Sequence, residues 1–338
     1  MTGAHQETIR YKIKKRFAGR GFRFQPEIDY SKLGLSLHWA TVEMNPLYYS
    51  SAAKFLELLN KASYLVHYSK IVPNGHFVAL FALPNGKGRE FEAFLDGLKD
   101  RGIITSFGLN RVLVERHKSM DVKCFDFQEN RWEVDWQKVK ASPGLQLSPG
   151  ESRPSQIADA VDMLMIKELE VDALQHTVGI AKKLKMNDKT LEYHYRTHIV
   201  GEKLIPRYRV RWINDMKGSL GHITFVAVLT FRRLREDECK KVQRVIGKIP
   251  YLWVEYRLKD GTYIAIFGVP TGEFMEMMGY VNDELQSFAA RVETGFMKVG
   301  ESFNFTIPHH MFVDGRWEFD ARDLEKTVLK ALSGDLKK

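Results

Sequence analysis

Cys124 and Cys239 are the only cysteines among 338 residues. Two are too few for a disulfide framework, so a reducing cytoplasm is the expected compartment and both thiols are expected to be buried or incidental. No apolar run approaches the length of a membrane span, and no apolar signal-peptide core follows the first methionine. Membrane-spanning and secreted classes are thereby set aside. Catalytic signatures are missing too. His309 and His310 adjoin without a matching carboxylate or cysteine at ligand spacing, and are expected as surface or strand residues. "AGRGFR" (18–23) holds a fragment of a phosphate loop with no strand before it. With no nucleophile–base pair to point to, the expectation is a non-enzyme without metal or cofactor.

What is present is basic charge in two places. Residues 1–23 and residues 182–217 each net +6, together more than the +9 of the whole chain. Two short basic stretches on a roughly neutral scaffold suggest two polyanion-binding surfaces. An ordinary apolar content of 44% and the length favour two or three domains.

The chain is written twice. "NGHFVALFALP" (74–84) returns as "DGTYIAIFGVP" (260–270), and "NRWEVD" (130–135) as "GRWEFD" (315–320). The basic opening "TIRYKIKKRF" (8–17) aligns with "TLEYHYRTHI" (190–199), at offsets of 182 to 186 residues throughout. The "RWE" blocks suit Trp132 and Trp317 anchoring C-terminal segments to a sheet better than they suit a catalytic cluster. Each copy reads as strand, helix, hairpin, helix, strand: 35–44, 51–62, 64–83, 88–102 and 103–115, then 222–231, 236–247, 251–269, 273–286 and 290–299. That order suits the ferredoxin-like fold. The fold class expected is α+β, two ferredoxin-like (βαββαβ) domains with a central winged helix-turn-helix and a partial N-terminal one.

The expected domains are 1–27, 28–140, 157–212 and 213–330. A linker at 141–156 is rich in proline, glycine and serine. From Ile157 an apolar stripe of Val161, Leu164, Met165 and Leu169 marks one helix. Thr177 can cap a second over 177–184, and a third runs over 189–200 before a basic ribbon at 202–212. With Leu191 inward, the third helix presents Lys189, Thr190, Tyr193, Arg196 and Thr197 outward, and the ribbon adds Arg207 and Arg209. The first copy points Ile9, Ile13 and Phe17 inward and offers Thr8, Arg10, Tyr11, Lys14 and Lys15. Such groups reach base edges and phosphates of double-stranded DNA. The 182-residue offset places the two supporting helices of this first unit before residue 3. Its start is therefore expected upstream, or its apolar stripe is expected to pack on another surface.

"GIAKKLKMNDKTLEYHYRTHI" followed by an α+β domain resembles the Lrp/AsnC family of prokaryotic regulators. The resemblance implies a sequence-specific DNA-binding transcription regulator built as a tandem pseudo-dimer. It also implies oligomers formed through the α+β domains and a small-molecule effector such as an amino acid. Of that family's glycine-rich, acidic hairpin consensus only part is kept. A small-molecule sensor or protein-interaction module, whose helices bind a partner other than DNA, stays open as the alternative.

Overall fold

The computed structural model describes residues 5–17, 22–62, 64–129, 131–143, 157–212 and 223–333. It opens with α1 (Gln6–Tyr11), a π-helical turn (Lys12–Phe17) and strand β1 (Phe22–Glu27). The first repeat follows as β2 (Leu35–Met44), α2 (Ala52–Ala62), β3 (Leu65–Val72), β4 (Phe77–Pro84), α3 (Gly88–Asp100) and β5 (Ile104–His117). A small hairpin, β6 (Phe125–Asp126) and β7 (Arg131–Trp132), leads to α4 (Trp136–Ala141). Three helices come next, α5 (Ala160–Val171), α6 (Thr177–Leu184) and α7 (Asp188–His194), then β8 (Arg207–Trp212). The second repeat is β9 (Ile223–Phe231), α8 (Glu236–Ile246), β10 (Leu252–Leu258), β11 (Tyr263–Pro270), α9 (Phe274–Leu285) and β12 (Val292–Asn304). It ends in a hairpin, β13 (Phe312–Val313) and β14 (Arg316–Trp317), and α10 (Ala321–Ser333).

Both repeats have the same antiparallel strand order, β3-β4-β2-β5 and β10-β11-β9-β12. The sequence pattern suggested two separate sheets. The structure instead joins them into one closed eight-stranded barrel, by pairing β5 with β10 and β12 with β3. Closure leaves neither sheet with an unpaired edge, a state that would otherwise invite association. It also explains why β4 and β11 are buried at every residue rather than at alternate ones. One face of each meets helices and the other faces the barrel interior. In α3, Phe91, Phe94, Leu95 and Leu98 recur at helical spacing and are all buried, which ties this outer layer to the sheet.

The C-terminal segments cross between repeats. Trp132 packs edge-on against Tyr251 of the second repeat (ring centroids 5.1 Å), and Trp136 Nε1 donates to Glu273 (3.2 Å). Reciprocally, Trp317 Nε1 donates to the Leu33 carbonyl (2.5 Å), and Phe319 packs on Tyr64 and Phe91.

The central helices depart from expectation in detail. His176, not Thr177, occupies the cap position of α6, and the Thr177 hydroxyl donates to Glu192 (2.7 Å). The third helix is not uniform: after His194 it widens into a π-helical stretch (Tyr195–Gly201). The two segments expected as separate wings pair with one another, with Gln25 opposite Arg209 and Glu27 opposite Arg207. In the opening helix the apolar stripe is not drawn inward: Ile9 is 37% and Phe17 44% exposed, the latter touching Phe22 edge-on. Most of the expected linker, 144–156, lies outside the described residues. No described helix is long and apolar enough to cross a membrane.

Candidate active site

Strand alternation builds the site. On β5, Glu115 and His117 point into the barrel, and Arg116 between them points out, where it pairs with buried Glu255 of β10. Across the seam, register sets Tyr256 opposite Glu115 and Val254 opposite His117, so both repeats furnish the same wall. The β1–β8 ribbon covers this end of the barrel with Gln25, Glu27 and Arg209, while α5 contributes Glu170. The cavity is about 570 Å³, within the ~300–1,000 Å³ usual for small-molecule sites. Its apolar lining includes Val66, Leu80, Val226, Trp253, Ile266 and Met297. A more open cleft of about 480 Å³, lined by His38, Arg89, Glu92, Asn110, Arg111, Lys259 and Asp260, lies elsewhere and has few apolar walls.

Inside, the polar groups form a chain. Arg209 contacts His117 Nδ1 through its guanidinium, and its Nε donates to Gln25 Oε1 (3.3 Å). A guanidinium can only donate, so His117 Nδ1 accepts and Nε2 holds the ring proton, facing Glu115 Oε1 at 3.1 Å. Burial by itself would raise the Glu115 pKa. The opposing pull of His117, Arg209 and a Tyr256 hydrogen bond holds it below the usual carboxylate range. Glu115 is therefore an anion that orients the imidazole.

Glu170 is the opposite case. Burial pushes its pKa up to about 8, against a smaller downward pull from the Ile307 amide and Arg209. The Ile307 N–H donates to its Oε2 at 2.7 Å. The cavity thus holds a carboxyl group that keeps its proton at neutral pH beside a fixed guanidinium–imidazole pair. Tyr30, which lines the same cavity, is raised well above its ordinary value by burial and by the Glu170 and Glu115 carboxyls. Lys118 is lowered by burial, and its Nζ donates to the carbonyls of Gly247 (2.8 Å) and Ile249 (3.1 Å).

The residues named from sequence divide among three locations. Arg209 lines the cavity, and Arg207 at its rim donates to Glu27 (2.7 Å) and to the His117 carbonyl (3.3 Å). Lys189, Thr190, Tyr193, Arg196 and Thr197 are exposed on the third helix, with Arg196 paired to Glu192 at 2.6 Å. Thr8, Tyr11, Lys14 and Lys15 are exposed on the opening helix, and the Arg10 side chain lies outside those described. Glu115, His117 and Glu170 escaped sequence reasoning. The one local signal was the polar pair at Glu115 and His117, two residues apart at the end of a strand that also carries Asn110 and Arg111.

No protein-family model matches the chain, and no curated protein does. Among solved structures it is similar to the siroheme decarboxylase NirDL, at 13% identity and a TM-score of 0.53, over 99% of this chain and 91% of that one. The same enzyme in complex with an iron-uroporphyrin III analogue matches at 13% identity and TM-score 0.52, over 98% and 90%. A transcriptional regulatory protein of the AsnC family from Pyrococcus furiosus matches at 13% identity and TM-score 0.31, over 42% of this chain and 89% of that one. The shared property is the fold. It corrects the expectation of a non-enzyme, because the solved structures matching this chain from end to end are those of an enzyme. The regulator likeness spans less than half of the chain. Local spacing could not reveal Glu115, His117, Glu170 and Arg209, which stand on three separate elements and meet only in the folded chain.

Proposed function

We propose that the chain is a decarboxylase acting on a carboxylate-bearing cyclic tetrapyrrole, siroheme or a close relative, bound in the barrel cavity. The observation that carries this reading is the Glu170 carboxyl, its pKa pushed up by burial, set beside Arg209 and His117 in a largely apolar cavity. Apolar walls suit a flat macrocycle, and Arg209 suits a substrate carboxylate, which a guanidinium grips with paired hydrogen bonds. Decarboxylation breaks the bond between the carboxylate and its neighbouring carbon. Carbon dioxide leaves, the electron pair stays on the substrate carbon, and a proton must arrive there. Glu170 has that proton to give, ends as a carboxylate, and is re-protonated from solvent. Likeness in fold to a siroheme decarboxylase agrees with this reading without supplying it.

The test is anaerobic incubation of the protein with siroheme, followed by mass analysis of the pigment, alongside an absorbance titration with iron uroporphyrin III. Stepwise loss of carbon dioxide and saturable binding are expected. Absence of both would overturn the assignment. A second reading, DNA binding, is favoured by the exposed Lys189, Tyr193 and Arg196 on the helix after a tight turn. It requires duplex affinity that falls steeply with salt and weakens in Arg196→Ala.

A further inference from the structure

We propose that Asp159, Asp162, His194 and His198 form a binding site for one divalent transition-metal ion of the zinc type, clamping the start of α5 to α7. These side chains stand outside the barrel cavity, and their ligand atoms all lie within 4.8 Å of one another. The two histidines are four residues apart, at the end of α7 and in the π-helical stretch that continues it, and the two aspartates three apart, at the cap and in the first turn of α5, so each pair lies on one side of its element. Both imidazoles turn Nδ1 toward the same carboxylate. His194 lies 3.0 Å from Asp162 Oδ1, and His198 lies 2.8 Å from Oδ2 and 3.0 Å from Oδ1. Asp159 Oδ1 stands 3.7 Å from His194 Nδ1. A tetrahedral ion with bonds of ~2.0–2.1 Å spaces its ligand atoms by about 3.3–3.4 Å. The separations of 2.8–3.7 Å bracket that spacing, and the widest of the set, up to 4.8 Å, closes to it by side-chain rotation of about an ångström.

Charge argues the same way. Asp162 is fully buried, and among the described residues its ion-pair partners are His194 and His198, with no lysine or arginine. A buried carboxylate needs a compensating charge. One dication bound by two neutral imidazoles and two carboxylates leaves the site without net charge. Asp162 Oδ2 and Asp159 Oδ1 also accept backbone N–H groups at the start of α5, which fixes both carboxylates in place. The donor set of nitrogen and carboxylate oxygen fits zinc and its first-row neighbours better than magnesium or calcium.

Full-length protein stripped with a chelator would be titrated with zinc against a chromophoric competitor. A parallel titration would use cobalt(II), whose visible bands report tetrahedral coordination. About one equivalent of either ion is expected per chain, with a rise in thermal midpoint. His198→Gln should weaken uptake by more than the ~10–100-fold that loss of an outer-shell partner costs. Should that variant fail to fold, Asp159→Asn keeps the helix cap, removes one anionic ligand and has the same expectation. No saturable uptake, or uptake that these substitutions leave intact, would overturn the site.

Discussion

Replacing Glu170 by glutamine isolates one proton. The side chain keeps its shape and can still accept the Ile307 amide, but it has nothing to ionise. In the unfolded chain the glutamate titrates near its ordinary 4.5, and in the folded protein near 8. The folded state therefore retains a proton that the unfolded state has lost throughout that interval. Stability falls by ~1.36 kcal/mol per pH unit as pH rises across it, and levels off above the folded value. Going from about pH 6 to about pH 9 crosses roughly two such units, or ~2.7 kcal/mol. Any water admitted to the cavity lowers this figure, so it is an upper bound. Urea unfolding of both proteins at the two pH values gives a double difference in which every other titrating group cancels. Glu170→Gln should gain on the parent protein between the lower and higher pH by up to that amount, and should bind iron uroporphyrin III without turnover. Identical pH dependence in the two proteins would show that Glu170 ionises normally, and the proton-donor argument would go with it.

Arg209→Ala should weaken binding of iron uroporphyrin III by roughly 10- to 100-fold, the equivalent of losing a charge-assisted hydrogen bond worth ~1.5–3 kcal/mol; an absorbance titration reads this directly. Gly268→Ala would bring a Cβ to 2.1 Å from the Trp253 ring and force the indole toward the cavity. A loss of ~1–3 kcal/mol in stability is expected, with weaker pigment binding. Arg116→Met would strand Glu255, 1% exposed, without its cation. That should cost ~3–5 kcal/mol in chemical denaturation, which Arg116→Met combined with Glu255→Gln should partly restore.

The repeat, its strand and helix order and most element limits were legible in the sequence, because each copy writes its core at the spacing of its own secondary structure. β2, for example, runs over Leu35–Met44 as its run of strand formers suggested. Barrel closure was not legible. Pairing of β5 with β10 depends on two edges meeting in space, and an edge strand reads the same whether it is free or paired. The site was lost with it, since His117 and Arg209 touch across 92 positions of chain. Arg209 was singled out for its charge and for the DNA contact that charge suggests, yet the ribbon turns it toward the cavity. The aspartate and histidine pairs of α5 and α7 did carry a signal, three- and four-residue spacings on facing helices.

In a barrel made from two identical chains, whatever stands at one seam must also stand at the other. Here the seams differ. One carries Glu115, His117 and Tyr256, while the other sets His67 against Asn304 (3.0 Å) and Ser69 against Ser302. Carrying both repeats in one polypeptide releases each half from mirroring its twin, so a substitution on one side need not be matched on the other. A ligand entering this barrel accordingly meets a left and a right, and an asymmetric macrocycle can be held in a single orientation.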